Sequence, residues 1–173
     1  MNIRPLTLLL AITAGLAGNA AQAATTGTLR FVGQVNAGTC NLAAGDANRS
    51  VTLPPVKVSD FDSAVAAGGL DFDISADCES DIRNVIFLFT GTPAVGNGAM
   101  FSNTGTSAGT GLWLSHRGIA DIPANGTVAQ RSRTIATSSN KAVMPLRATY
   151  FKTGATVTAG TLASAVTVSI TYN

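Results

Sequence analysis

The sequence predicts an all-β fold, with a β-sandwich as the favoured architecture. Short runs in which apolar and polar residues alternate recur along the chain, and Gly, Asn, Asp and Pro separate them. Such alternation is typical of strands that bury one face, and the spacing of an amphipathic helix is nearly absent. Short strands, frequent turns and a single pair of cysteines in 173 residues therefore favour one sandwich domain.

The composition limits the functions that are open to the chain. Only 12% of the residues are charged and the net charge is +2, so the chain lacks the clustered cations that phosphate binding needs, and we expect no nucleic-acid partner. One histidine and two cysteines leave few parts for a metal site or a histidine-based triad. We therefore expect no enzyme, no metal and no cofactor.

The first 23 residues have the pattern of a signal peptide. Arg4 precedes an apolar run from Leu6 to Leu16, and Ala21-Gln22-Ala23 fits the small-x-small cleavage rule. A membrane anchor is the alternative, but the apolar run ends well short of the roughly 20 residues that a span needs. We expect cleavage before Ala24, export of the chain, and no direct insertion into the membrane.

Export changes the interpretation of the two cysteines. In an oxidising compartment a Cys40–Cys78 disulfide is the expected state, closing a loop of about 38 residues worth roughly 4 kcal/mol in the chain-entropy model. A redox-active pair is the alternative, but the chain has no Cys-x-x-Cys spacing. The alternation from Leu70 to Cys78 also turns Cys78 toward the apolar face, as a core disulfide requires.

Further segments carry the strand pattern, and turn signals separate several of them. Asn97-Gly98 and Asn125-Gly126 are typical of turns. Pro145 lies inside a strand pattern and predicts an edge strand or a bulge. The predicted strands, besides 70–78, are residues 29–35, 85–89, 112–114, 144–150 and 166–172.

The segment before the first cysteine is unusual. Residues 24 to about 38 precede the sandwich as a strand-like arm, in which Leu29, Phe31 and Val35 share a face that Gly33 interrupts. Glycine within a strand marks a bulge or a place of close approach.

Taken together, these segments resemble the subunits of chaperone–usher pili, most closely the type 1 fimbrial major pilins. The likeness runs along essentially the whole chain after the signal peptide. Its most specific part is the C-terminus, where Tyr172 is the penultimate aromatic residue and Gly160 precedes an alternating apolar strand. The other matching segments are residues 27–35 with Cys40, 51–56, 72–78, 87–91 and 145–151.

The resemblance implies an incomplete immunoglobulin-like β-sandwich that lacks its final strand. It divides the chain into a signal peptide (1–23), an N-terminal donor-strand extension (24–38) and a pilin domain (39–173). The implied donor residues are Leu29, Phe31, Gly33 and Val35. The implied chaperone-binding and acceptor-groove residues are Gly160, Leu162, Val166, Val168, Ile170, Tyr172 and Asn173, with the terminal carboxylate anchored by the chaperone.

The resemblance also implies partners and a location. A periplasmic chaperone would lend a strand to the groove, and at an outer-membrane usher the arm of an identical or homologous subunit would replace it. The chain would then be a structural subunit of an adhesive fimbrium on the cell surface. Two alternatives are a minor adaptor pilin and a secreted carbohydrate-binding β-sandwich, although residues 24–173 leave no room for a separate lectin domain.

Three other features have competing interpretations. Most acidic residues lie between Asp60 and Asp81, and we expect a solvated face, because residues 77–82 lack the glycine of a calcium loop. We expect His116 to be a surface histidine. Trp113 faces away from its leucine neighbours, which fits either a contact between subunits or a partly covered aromatic residue.

Overall fold

The computed structural model describes residues 28–154 and 156–173. The predicted signal peptide and the start of the arm lie outside these residues. A compact unit spans residues 36–173, and Thr28–Val35 is described apart from it. The described strands are β1 (Cys40–Leu42), β2 (Ala66–Cys78), β3 (Asn84–Gly91), β4 (Phe101–Ser102), β5 (Thr110–His116), β6 (Ala120–Asp121), β7 (Ser132–Ala136), β8 (Lys141–Lys152) and β9 (Val166–Tyr172).

The strands form two antiparallel sheets. The larger sheet has the order β1-β2-β8-β5-β4, with β6 beside β5, and the smaller sheet has the order β7-β3-β9. A 3-10 turn (Val58–Phe61) and one helical turn, α1 (Val128–Arg131), are the helical elements of the described residues. The predicted all-β sandwich is confirmed.

The core lies between the sheets and is built from alternate residues of the long strands. Ile74, Ala76 and Cys78 are the buried residues of β2, and Val85, Phe87 and Phe89 are fully buried on β3. On β8 the buried set is Ala142, Met144, Leu146 and Ala148. This alternation follows from the strand geometry, in which successive side chains point to opposite faces.

The two cysteines are joined by a disulfide at the start of the sandwich. Cys40 on β1 lies directly opposite Cys78 on β2, and both residues are buried. The chain just before β1 is also held, because the Gly38 N–H donates to the Asp81 carboxylate (2.8 Å) and the Thr39 N–H donates to that of Glu79 (3.1 Å). The inward orientation predicted for Cys78 is confirmed.

The strand predicted over residues 29–35 is absent from the single chain. Residues 28–39 contain no strand. A strand forms when its backbone groups pair with a neighbouring strand, and the alternation of the arm therefore indicates a segment suited to such pairing.

The prediction for Pro145 is wrong, because this residue lies on a central strand. Strand β8 pairs with both β2 and β5, and the irregularity of the β2–β8 ladder lies elsewhere, between Ala67 and Leu70. A proline is tolerated at this position of the central strand because of where the neighbouring strand ends. The pairing of β5 with β8 ends at His116 opposite Leu146, so no residue of β5 requires an N–H from Pro145, and its carbonyl accepts from the Arg117 N–H (3.1 Å).

Candidate functional site

The last strand of the chain forms an open edge of the sandwich. Strand β9 runs antiparallel to β3, from Val166 opposite Gly91 to Tyr172 opposite Val85. Among the described residues no other strand pairs with β9. Since backbone groups alternate in direction along a strand, one row of N–H and C=O groups on β9 faces away from β3 without a ladder partner.

The side chains of β9 divide into two rows, as the sequence pattern predicts. Val166, Val168 and Ile170 are half-buried and pack against the core, whereas Thr167, Ser169 and Thr171 are exposed. Tyr172 continues the apolar row but is 39% exposed. The apolar row of β9 is therefore only partly covered by the sandwich.

A groove of about 830 Å³ lies beside β9. Its floor is formed by core side chains of both sheets, so that the groove opens onto the hydrophobic core. The floor residues are Phe72 and Ile74 of β2, Phe89 of β3, Leu112 and Leu114 of β5, and Leu146, Ala148 and Tyr150 of β8. One side of the groove is formed by residues 162–168, which include the first part of β9.

The opposite side of the groove is formed by residues 46–53, here called the wall segment. Its beginning is fixed to β2, because the Asp46 carboxylate accepts from the Ser75 N–H and the Arg49 guanidinium donates to the Asp73 carbonyl. Its second part, residues 50–53, makes no hydrogen bond to any described residue, although Val51 and Leu53 are half-buried. Within residues 28–154 and 156–173, the groove is therefore bounded on both sides by backbone that lacks a strand partner.

The segment just before β9 is held in place by a polar loop. The Thr104 N–H donates to the Ala163 carbonyl (2.7 Å), and the Ser107 N–H donates to that of Thr161 (3.0 Å). Gly160 packs against this loop so closely that a Cβ atom would lie 2.5 Å from the Ser107 nitrogen. A side chain at position 160 would therefore displace the segment that leads into the groove edge.

The C-terminal residue closes the end of β9. The Asn173 carbonyl accepts from the N–H groups of Arg83 (2.9 Å) and Asn84 (3.2 Å), and its own N–H donates to the Asn84 carbonyl (3.2 Å). These bonds fix where β9 stops relative to β3. They also fix the register of β9 against β3. The register matters because a slip of one residue would turn every side chain of β9 to the opposite face.

The arm presents apolar side chains to solvent. Leu29, Phe31 and Val35 are 81%, 89% and 99% exposed. A Cβ atom added at Gly33 would meet nothing within 4 Å, so the close approach expected at this glycine is not made in the single chain and stays a prediction.

Sequence reasoning found one side of the groove and missed the other. Of the residues predicted for the groove, Leu162, Val166 and Val168 line it, whereas Gly160, Ile170, Tyr172 and Asn173 lie beyond its lining. The floor and the wall segment were not predicted as site residues. The shared orientation of Leu112 and Leu114 and the alternation of Val51 and Leu53 are the signals that could have indicated them.

The prediction of a surface histidine is wrong. His116 is only 7% exposed, because it shares the inward orientation of Leu112 and Leu114 on β5. Burial, and secondly the positive charge of Arg133, lower the pKa of His116 below its usual value. Protonation of the imidazole is therefore less favourable in the folded chain than in a free histidine.

The outer face of the larger sheet accounts for the acidic residues and for Trp113. The Oδ1 atom of Asp71 lies 3.6 Å from Nε of Arg147, and Oδ1 of Asp77 lies 2.6 Å from Nζ of Lys141. All four side chains are at least 40% exposed, and the predicted solvated face is confirmed. Trp113 is half-buried and packs edge-to-face on Phe151, with ring centroids 5.6 Å apart, so it is at least a partly covered aromatic residue.

No helix within residues 28–154 and 156–173 is long and apolar enough to cross a membrane.

Fold and groove together define a β-sandwich that lacks one strand and opens onto its own core. The family model described as fimbrial protein matches residues 26–173. The chain therefore belongs to the fimbrial protein family. It is a structural subunit of a surface fimbrium, and it assembles with other pilin subunits.

Two curated proteins of Escherichia coli (strain K12) are similar in sequence. The type-1 fimbrial protein A chain is 26% identical over 167 residues, which cover 90% of this chain and 91% of that protein. The type 1 fimbrin D-mannose specific adhesin is 30% identical over 141 residues, but the match covers only 41% of its length.

Solved structures agree on the fold. The P pilus rod subunit PapA gives a TM-score of 0.63 at 18% identity, covering 78% of this chain and 99% of PapA. A structure of a chaperone–usher pilus gives a TM-score of 0.62 at 18% identity, and the match covers 87% of this chain and 98% of the pilus chain. These likenesses support the incomplete immunoglobulin-like sandwich.

The open edge predicts that the chain gains stability from a supplied strand. We expect residues 24–173 alone to be poorly folded or self-associated. A copy of residues 27–38 fused after Asn173 through a flexible linker should give a monomer that melts roughly 10 °C or more higher, because several apolar side chains become buried. Thermal unfolding with light scattering measures both properties.

The matched control is the same fusion with Phe31→Asp in the appended copy, which should not stabilise the chain. Equal melting temperatures for monomeric fused and unfused proteins would contradict the incomplete fold.

Proposed function

We propose that the chain builds its fibre by donor-strand exchange, in which residues 24–38 of the next subunit fill the groove of the subunit before it. The observation that carries this proposal is the groove beside β9, which opens onto the core and is bordered on both sides by backbone that has no strand partner in the described part of the chain. Addition of a strand to an open sheet edge is an established mode of recognition, and chaperone–pilin complementation is among its known examples.

The arm has the properties of such a strand. Leu29, Phe31 and Val35 lie on one face and are exposed in the single chain, and burial of each contributes roughly 1.5–3 kcal/mol. Each backbone hydrogen bond that the arm forms adds about 0.5–1.5 kcal/mol, and the ordering of the arm offsets part of the sum. The balance favours a long-lived joint between subunits.

The two sides of the groove give the incoming strand two partners. Backbone groups on β9 face the groove from one side, and residues 50–53 face it from the other. A strand placed between them can pair with both, which closes the sandwich and covers the floor residues. We propose that Gly33 then passes over a shallow part of the floor, where a side chain would not fit.

Before assembly the groove needs a temporary cover, because an uncovered apolar edge leads to aggregation. We propose that a periplasmic chaperone supplies a strand along β9 after the signal peptide has directed export, and that an outer-membrane usher catalyses its replacement by the arm. The order of strand partners, first chaperone and then subunit, keeps the edge paired throughout. The chain has no enzymatic role in this scheme.

We propose that the chain is the repeating rod subunit. The match to the type-1 fimbrial A chain covers 91% of that protein, whereas the D-mannose specific adhesin is matched over 41% of its length. Electron microscopy of cells that lack the gene distinguishes a rod subunit from a minor adaptor. Loss of the whole fibre indicates a rod subunit, and a fibre that lacks only its tip structure indicates an adaptor.

Substitutions in the arm test the donor-strand proposal. Phe31→Asp brings a charge into an apolar site at a cost of several kcal/mol, and Gly33→Leu adds a side chain where space is absent. Both variants should abolish surface fibres in electron micrographs, while the amount of chaperone-bound subunit in the periplasm stays normal.

The matched controls alter the opposite face of the arm. Gln34→Glu introduces a charge and Val32→Leu introduces bulk, and both should assemble normally. Normal fibres from Phe31→Asp and Gly33→Leu would mean that the donor strand lies elsewhere in the chain.

The C-terminus tests the proposed chaperone site. Two residues appended to Asn173 should reduce capture severalfold, because they displace the terminal carboxylate from the end of β9 that Arg83 and Asn84 hold. Tyr172→Ser should also weaken capture by removing an aromatic contact. Co-purification of the subunit with the chaperone measures both effects.

Thr171→Ser changes an exposed residue on the same strand and serves as the control. Undiminished capture of the extended chain would show that the carboxylate has no anchoring role.

A further inference from the structure

The wall segment begins with a carboxylate that is tied to the backbone of β2. The Asp46 Oδ2 atom accepts from the Ser75 N–H (2.8 Å) and from the Ser75 hydroxyl (3.3 Å). The Asp46 side chain is only 10% exposed. Hydrogen bonds from a backbone N–H to a carboxylate are among the stronger bonds in proteins, so this contact fixes the start of the wall.

Arg49 extends this attachment toward the groove. Its Nη1 atom donates to Asp46 Oδ1 (3.0 Å) and to the Asp73 carbonyl. The guanidinium carbon also lies 5.6 Å from the centroid of the Phe72 ring, which belongs to the groove floor. The guanidinium therefore joins the wall to β2 and covers the edge of the floor at the same time.

The remainder of the wall has no such attachment. Residues 50–53 make no hydrogen bond to any described residue, and only the partial burial of Val51 and Leu53 holds them. In an unoccupied groove this stretch could collapse onto the exposed floor, since collapse would cover apolar surface. The attachments of Asp46 and Arg49 oppose such collapse, because they hold the beginning of the wall segment against β2.

We propose that Asp46 and Arg49 are positioning residues that keep the wall segment apart from β9, so that the groove is formed before the donor strand arrives. The proposal rests on the proposed donor-strand function and concerns a step within it. Neither residue has to contact the donor. Their effect is on the rate of strand entry, because a preformed site avoids ordering its wall during binding.

The test is strand exchange measured on the full chain bound to its chaperone. A fluorescent synthetic peptide of residues 24–38 is added in excess, and its incorporation is followed over time. The native chain should take up the peptide, whereas Asp46→Asn and Arg49→Gln should do so roughly tenfold more slowly, as expected for the loss of a charge-assisted hydrogen bond. The double variant should be no slower than the slower single variant, because the two residues act as a unit.

Two controls separate positioning from general stability. Asp77→Asn removes a carboxylate from β2, the strand to which the wall is attached. Asp77 forms an exposed pair with Lys141 outside the groove, so this variant should leave the rate of peptide uptake unchanged. In the fused protein with residues 27–38 appended, the donor strand itself holds the wall. There, Asp46→Asn and Arg49→Gln should cost about one charge-assisted hydrogen bond, and the fused variants should remain folded monomers with a cooperative melting transition.

The outcomes distinguish the two proposals. If the native chain fails to take up the peptide, the donor-strand function itself is contradicted. If the native chain and the Asp46 and Arg49 variants exchange equally fast, only the positioning role is overturned. Failure of the fused variants to fold as monomers would likewise overturn it, because it would indicate a general structural role.

Discussion

The backbone row of β9 that faces away from β3 is the feature on which the remaining structure depends. A sandwich normally encloses its core between paired strands, and here the ladder of the smaller sheet stops at β9 while the core continues past it. The unpaired row and the apolar floor beside it cannot both be satisfied by water, because water pairs with the backbone but not with the floor. A strand satisfies both at once, since it brings hydrogen-bonding groups and apolar side chains in one alternating segment.

The elements around the groove are held by strand pairing, a disulfide and hydrogen bonds. Strands β2 and β8 pair along most of their length, and the Cys40–Cys78 disulfide fixes the chain where the arm meets the sandwich. Asn173 and the loop that holds Gly160 fix β9 at its two ends. A groove bounded by such fixed elements keeps its shape while one strand partner replaces another, which is the requirement that exchange imposes on a subunit.

Sequence patterns predict the parts of this structure that depend on local alternation. The two-residue period of Val166 to Tyr172 correctly predicts a strand with an apolar row, and the alternation through Cys78 predicts its inward side chain. The wall segment is different, because its place depends on Asp46 reaching Ser75 across the fold. The arm has strand periodicity without a strand, since pairing needs a second segment. Local alternation does not predict the settings of His116 and Pro145, because these depend on which strands lie beside them and where those strands end.

A high-resolution structure of the fibre assembled from this chain tests donor-strand exchange most directly. Donor-strand exchange requires that residues 27–38 of one subunit lie between β9 and residues 50–53 of its neighbour. Their backbone should pair along Val166–Tyr172, with Leu29, Phe31 and Val35 directed at the floor. A fibre in which each groove is closed by a segment other than the arm, or in which the arm lies outside the groove, would contradict it.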